Sequence, residues 1–241
     1  MEKNKKIAII VIGILLVILL VYLYFYDFKH INLYKGYDLF YEDKVVYVGS
    51  ENMKESDEGI QYSFSIWLRT NNLPGNSIWN TKDDIPKTIV YNNGSPNILY
   101  LRKENSIRIE IAYNENDYYN FDLEDFETQI WSNIIVTVDN KNINIYKNGL
   151  LEKSKIINNS NLKNYKMMSI GENGNNFNGY IGSIDYYSYI LKPNKILKLY
   201  LKNKNKYPNN LMNYEQYVFL DKEKKEKEKI QLSTDIKNFI I

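Results

Sequence analysis

The sequence predicts an all-β domain, an antiparallel sandwich or barrel, placed behind one apolar helix. Three observations carry this. Short β-branched and aromatic runs recur every 8–15 residues or so, separated by Asn, Gly, Pro and Asp clusters. The stretch WSNIIVTVDNKNINIYKNGLLEKS (131–154) changes rhythm twice, each time at a polar cluster. Ahead of all this, Ile7 to Tyr26 runs for twenty residues without a charge.

The central stretch sets the pattern. Ile134, Val136 and Val138 alternate with Ile135 and Thr137, as in a strand buried on one face and largely apolar on the other. DNKN supplies a turn, and Asn142–Lys147 alternates with period two, so Ile143 and Ile145 share a face. Asn148-Gly149 then gives a two-residue hairpin, because both residues tolerate the positive φ of a type I′ turn. Leu150–Ile156 returns as a third strand. The same grammar predicts strands in 62–70, 87–93, 97–102, 106–114, 118–123, 167–173 and 179–191. After Pro193 the apolar stripe Ile196, Leu197, Tyr200 and Leu201 predicts a helix covering an open end of the sandwich. KEKKEKEK (222–229) reads as a solvated helix face or tail.

A helix over residues 7–26 is about 30 Å long, the thickness of a bilayer's hydrocarbon core. Lys3, Lys5 and Lys6 precede it and Tyr22, Tyr24 and Tyr26 lie at its far end. The expected topology is a single pass with the amino terminus cytoplasmic and the C-terminal domain extracytoplasmic. Lys29 and His30 read as interfacial anchors. The run is longer than a signal peptide's apolar region and ends in YLYFYDF, unlike a small-residue cleavage site.

Composition excludes much chemistry. A net charge of +2 argues against nucleic acid as a partner, which needs a clustered positive field. There is no Cys, hence no thiolate nucleophile and no Cys-based metal site. His30 is the single histidine, leaving no imidazole for a hydrolase triad or His-ligated metal within the β region.

Four segments, in order, carry a resemblance. Phe64-Ser65-Ile66-Trp67, Trp131 through Asp139, Ile143 through Gly149, and Phe177-Asn178-Gly179-Tyr180-Ile181 running on to Leu191 resemble successive strands of one family. That family is the laminin-G-like members of the concanavalin A-like lectin/glucanase superfamily. The resemblance spans residues 60 to 200 and ends in a helix near Lys195–Tyr200. It implies a two-sheet antiparallel jelly-roll sandwich with a short C-terminal helix. The shared residues all read as structural, so scaffold and not activity is implied. Gly182-Ser183 departs from the acidic pair that often follows the family's Gly-Tyr-Ile. An apolar span, a stalk and one such domain also resemble membrane-anchored proteins predicted in large DNA viruses.

Three ligand chemistries follow. The superfamily's retaining glycosidases present two carboxyls about 5–5.5 Å apart. DLEDFE offers Asp122, Glu124 and Glu127, with the first and third acids swapped relative to the usual pattern. Sugar binding needs rings for stacking and amides or carboxylates for hydroxyls. Tyr113, Asp117, Tyr118 and Tyr119 offer these in one stretch, and Asn173, Asn175 and Asn176 in another. Calcium would draw on Asp83, Asp84, Asp117 or Glu172, without an EF-hand spacing. The expected organisation is a cytoplasmic 1–6, a bilayer span at 7–26, a stalk and first strand at 27–44, a sandwich at 45–203 and a charged tail at 204–241. The expected function is a non-catalytic, lectin-like module for a glycan or protein ligand at a membrane or virion surface, without cofactor or resident metal. A structural envelope component and a retaining glycoside hydrolase are the alternatives.

Overall fold

The computed structural model describes residues 2–27, 30–40, 45–48, 53, 60–71, 85–93, 95–114, 117–140, 142–157, 162, 168–172, 175 and 177–207. A helix, α1 (Glu2–Asp27), leads into strands β1 (His30–Phe40), β2 (Val46–Val48), β3 (Tyr62–Thr70), β4 (Lys87–Tyr91), β5 (Asn97–Leu101) and β6 (Ser106–Ala112). There follow β7 (Tyr118–Leu123), β8 (Ser132–Val138), β9 (Asn142–Lys147), β10 (Leu150–Ile156), β11 (Met168–Ile170), β12 (Gly179–Tyr187) and α2 (Pro193–Asn203). The strands form two six-stranded sheets. Sheet A has the order β1-β12-β3-β8-β9-β10 and sheet B the order β2-β11-β4-β5-β6-β7. Each recorded strand pairing is antiparallel, as the hairpin grammar requires.

Between the sheets, alternate residues of the predicted strands meet: Phe64, Ile66 and Leu68 from β3, Ile134, Val136 and Val138 from β8, and Ile107, Ile109 and Ile111 from β6. The Asn148-Gly149 hairpin forms as expected, with φ of 51° and 84° at its two corners. Asn148 also accepts a hydrogen bond from the Asn133 amide at 2.9 Å through its side chain, tying the hairpin back to β8.

Strands β3 and β8 are buried along their whole length, because sheet A is covered on its outer face as well. Ile135, Tyr146, Tyr187 and Leu191 pack there around Ile196 of α2. Beside them Trp67, Trp131 and Tyr207 form an aromatic cluster closed by Tyr180 and Tyr200. Trp67 stacks on Tyr207 at 4.4 Å between ring centroids, and Trp131 lies tilted against the same ring at 5.1 Å. Helix α2 thus lies across a sheet face and does not plug an open end. Only part of its expected apolar stripe is covered: Ile196 is fully buried, whereas Leu197 and Leu201 remain 39% and 47% exposed.

Within the expected stalk and first strand, residues 30–40 form β1, which pairs with β12 along its length and sets His30 opposite Tyr187. His30 stacks on Tyr187 at 4.4 Å and its Nε2 lies 3.1 Å from Asp185 Oδ1, so it is part of the sheet edge. Lys29 lies outside the described residues, as does the tail beyond 207. Helix α1 encloses the apolar run, and its described side chains, from Ile10 to Tyr22, are all exposed. Among the described residues no helix is long and apolar enough to cross a membrane.

Gly182 explains the departure from the family's acidic pair. A Cβ there would fall 2.1 Å from Tyr207 Cε1, and that ring is held in the tryptophan cluster with no room to retreat. Gly182→Ala is expected to cost about 1–3 kcal/mol in urea unfolding. The same change in a Tyr207→Ala background is expected to cost much less, since the clash is then gone.

Candidate functional site

With sheet A covered on both sides, the outer face of sheet B is where the sandwich presents side chains of varied chemistry. Tyr47 lies between Val46 and Val48, both of which pack on the core, so its own ring points outward and is 83% exposed. In the same way Ser169 separates the core residues Met168 and Ile170, and Tyr91 follows the core residue Val90. Ser169 pairs with Tyr47 on one side and Tyr91 on the other. Two outward tyrosines therefore flank one hydroxyl across three strands, about 10 Å apart at their backbones. Val90 pairs with Ile98, which brings Asn97 beside Tyr91. Asn97 in turn pairs with Glu110, and Glu110 with Asn120. Asn97 is buried, its amide donating to Glu110 Oε2 at 3.2 Å and its Oδ1 accepting from the Asn92 amide at 2.9 Å, and the exposed amide of the row is that of Asn120. This rung offers ring faces, a hydroxyl, a carboxylate and an amide in one row.

The neighbouring rung is held by charge. Arg108 pairs with Asp122 across β6 and β7, and its Nε and Nη2 donate to the two carboxylate oxygens at 2.8 and 2.9 Å. That hydrogen-bonded guanidinium holds the Asp122 carboxyl below the usual range, against partial burial and with further help from Lys153. Such a group is a poor general acid, which must hold its proton near neutrality. Glu127 pairs with Lys147 at 3.1 Å, and Glu124 lies exposed beyond the end of β7. The three acids of DLEDFE thus take three separate environments, and none of these contacts sets up the carboxyl pair of a retaining glycosidase.

The sugar-binding residues expected from sequence lie in two separate places, as the two stretches suggest. Tyr113 and Tyr119 stack on each other at 4.4 Å and pack against the core, while Lys155 Nζ sits 4.5 Å above the Tyr119 ring. Tyr118 points outward opposite Ala112, and Asp117 closes the β6–β7 turn by accepting backbone bonds from Tyr113 and Asn114. Asn175 pins the loop after β11 to the start of β4. Its side chain donates to Pro86 O at 2.9 Å and its carbonyl accepts from the Thr88 amide. The strand registers place this loop and the β6–β7 turn at opposite ends of sheet B. Asn173 and Asn176 lie outside the described residues, as do Asp83 and Asp84. Among the described residues no group of three acidic or imidazole side chains could hold a metal ion. Glu172, one of the expected calcium ligands, instead accepts the Thr88 hydroxyl at 2.6 Å.

Because Asp122 has a depressed pKa when folded, its pairing contributes stability above the unfolded carboxyl's pKa, and that contribution is lost as pH falls through the lower folded value. Both partners are about a third exposed, so the pair is worth only about 0.5–1 kcal/mol. Asp122→Asn is expected to lower stability by about that much at pH 7 and to make no difference at a pH below the folded value. Urea midpoints across the acid range check this.

A laminin-G family model of the concanavalin A-like lectin/glucanases superfamily matches residues 42–197. No curated protein sequence matches the chain. Among solved structures, the receptor binding domain of botulinum neurotoxin D is similar at a TM-score of 0.56 and 18% identity, covering 68% of this chain and 43% of that one. The botulinum neurotoxin serotype G binding domain gives 0.55 and 16%, covering 73% and 51%. The binding domain of botulinum neurotoxin DC, in complex with rat synaptotagmin II, gives 0.50 and 18%, covering 66% and 40%. The chain spans about half or less of these domains, and such identities bear on fold alone. With the family model covering the fold from β2 into α2, the chain belongs to the concanavalin A-like lectin/glucanases superfamily.

Proposed function

We propose that the protein is a non-catalytic binding module, anchored to a membrane by α1, which takes a glycan on the outer face of sheet B. The carrying observation is the row Tyr47, Ser169, Tyr91, Glu110 and Asn120. Sugar recognition combines ring faces that stack on a pyranose with amide and carboxylate groups that bind its hydroxyls, and this row supplies both within a few strand spacings. The anchoring reading is supported by Ile10–Tyr22, a continuous apolar surface that the sandwich leaves exposed and that favours an apolar surrounding. A protein ligand is the second reading, favoured by the similar toxin domain whose structure holds rat synaptotagmin II.

A glycan array probed with the detergent-solubilised full chain tests the ligand. Retention of specific glycans is expected, weakened about tenfold or more by Tyr47→Ala with Tyr91→Ala, each ring contributing about 1 kcal/mol. No retention of any glycan would favour the protein reading. Alkaline carbonate extraction tests the anchor: the full chain is expected to stay in the membrane pellet, and its release into the supernatant would remove that part of the proposal.

A further inference from the structure

Helix α2 carries a second surface, on the opposite side of the sandwich from the tyrosine row. At 100° per residue, Ile196, Leu199, Tyr200 and Asn203 form the side turned to sheet A, and Ile196 is fully buried there. Leu197 and Leu201 lie one turn apart on an exposed edge, and Lys195, Lys198 and Lys202 fill the sector next to them, all exposed. The leucine edge continues onto the β9–β10 hairpin, because a Cβ at Gly149 would lie 3.1 Å from Leu197 Cδ1, and Leu150 beside it is 64% exposed. From 188 to 207 the sequence holds six lysines and no Asp or Glu. Among the described residues, Lys195, Lys198 and Lys202 form no ion pair.

We infer that this face of α2 docks the sandwich onto an anionic lipid surface. A short helix with exposed leucines along one edge and lysines beside them matches an acyl boundary under negative headgroups, and each lysine near such a surface is worth about 1 kcal/mol. Chain length points the same way. Asp27 is three residues from His30, at most about 11 Å of chain, and His30 pairs with Tyr187, six residues before Pro193. The end of α1 is therefore held within reach of the start of α2. The inference extends the membrane reading of α1, but its surface chemistry is that of α2 alone.

The absence of cysteine allows a clean test. Leu201→Cys in the full chain carries an environment-sensitive fluorophore, and the protein is reconstituted into vesicles of phosphatidylcholine alone or with about one third phosphatidylserine. A blue shift is expected with phosphatidylserine and not with phosphatidylcholine, lost at high salt and lost in Lys198→Glu with Lys202→Glu. A label at Asn120→Cys, on sheet B, is expected to stay unshifted. No shift in phosphatidylserine vesicles that do retain the chain overturns the α2 inference while leaving the anchor intact. Failure of the chain to insert on reconstitution marks α1 instead, and for that uninserted chain a shift at Leu201→Cys on added phosphatidylserine vesicles supports α2 while no shift overturns it. An equal shift in phosphatidylcholine alone, or one produced as well by soluble polyglutamate without vesicles, overturns the lipid inference, the latter in favour of an acidic protein partner.

Discussion

The packing of Tyr207 between Trp67 and Trp131, over the bare backbone of Gly182, is the contact on which the rest of the molecule depends. Strands β3 and β8 occupy the middle of sheet A and carry apolar residues on both faces, so the sheet needs a cover on its outer side as well as its inner one. Helix α2 and the turn after it are that cover. Residues on the outward face of β3 are graded to receive it. Ser63 and Ser65 leave room, and the Ser63 hydroxyl both donates to Tyr189 O and accepts from the Leu191 amide at 2.8 Å, while Trp67 fills the far end. Gly179 serves the same strand differently: a Cβ there would meet Arg69 O at 2.3 Å, so β12 lies against β3 only as glycine.

Sealing sheet A has a consequence for ligand binding. The two-sided burial leaves little outward-facing chemistry on the middle strands of that sheet, and surface diversity moves to sheet B and to the solvent side of α2. The edge strand β10 illustrates the division. It is exposed along its length, yet Lys153 and Lys155 pair with the inward-facing Ile145 and Ile143. Charges on the inner side of an edge strand discourage further strand addition, so this edge is poorly suited to augmentation by an extended peptide, and a ligand is better served by a face.

The fold was legible because its signals are local. Period-two alternation, the Asn148-Gly149 corner and Pro193 at a helix start each depend on residues within a few positions of one another, and the structure keeps all three. The candidate site was not legible for the opposite reason. Tyr47, Ser169 and Tyr91 become neighbours only through the strand order β2-β11-β4, which no short stretch encodes. In a chain with 23 Tyr, the aromatic-rich segment around 113–119 is the stronger local signal, yet there Tyr113 and Tyr119 stack on each other and pack on the core. A usable signal did exist: in VYV the tyrosine sits between two core-facing valines, which places it outside if the segment is a strand. The stripe after Pro193 misled in a similar way, since periodicity marks an apolar sector without saying how much of it a neighbour will cover.

The two surfaces are compatible in one arrangement. Sheet A lies between α2 and the core, and sheet B lies beyond it, with each layer adding about 10 Å. A sandwich resting on lipid through α2 therefore holds Tyr47 and Tyr91 some 20 Å or more from the headgroups, turned away from them and open to a ligand arriving from solvent. The reverse placement, with the tyrosine row against the bilayer, would leave the lysines of α2 in solution and set Glu110 toward anionic headgroups, which like charge disfavours. On the proposed membrane, charge thus favours the first placement. With α1 as the proposed anchor, the start of β1 within a few residues of it leaves a tether too short for the sandwich to turn over freely.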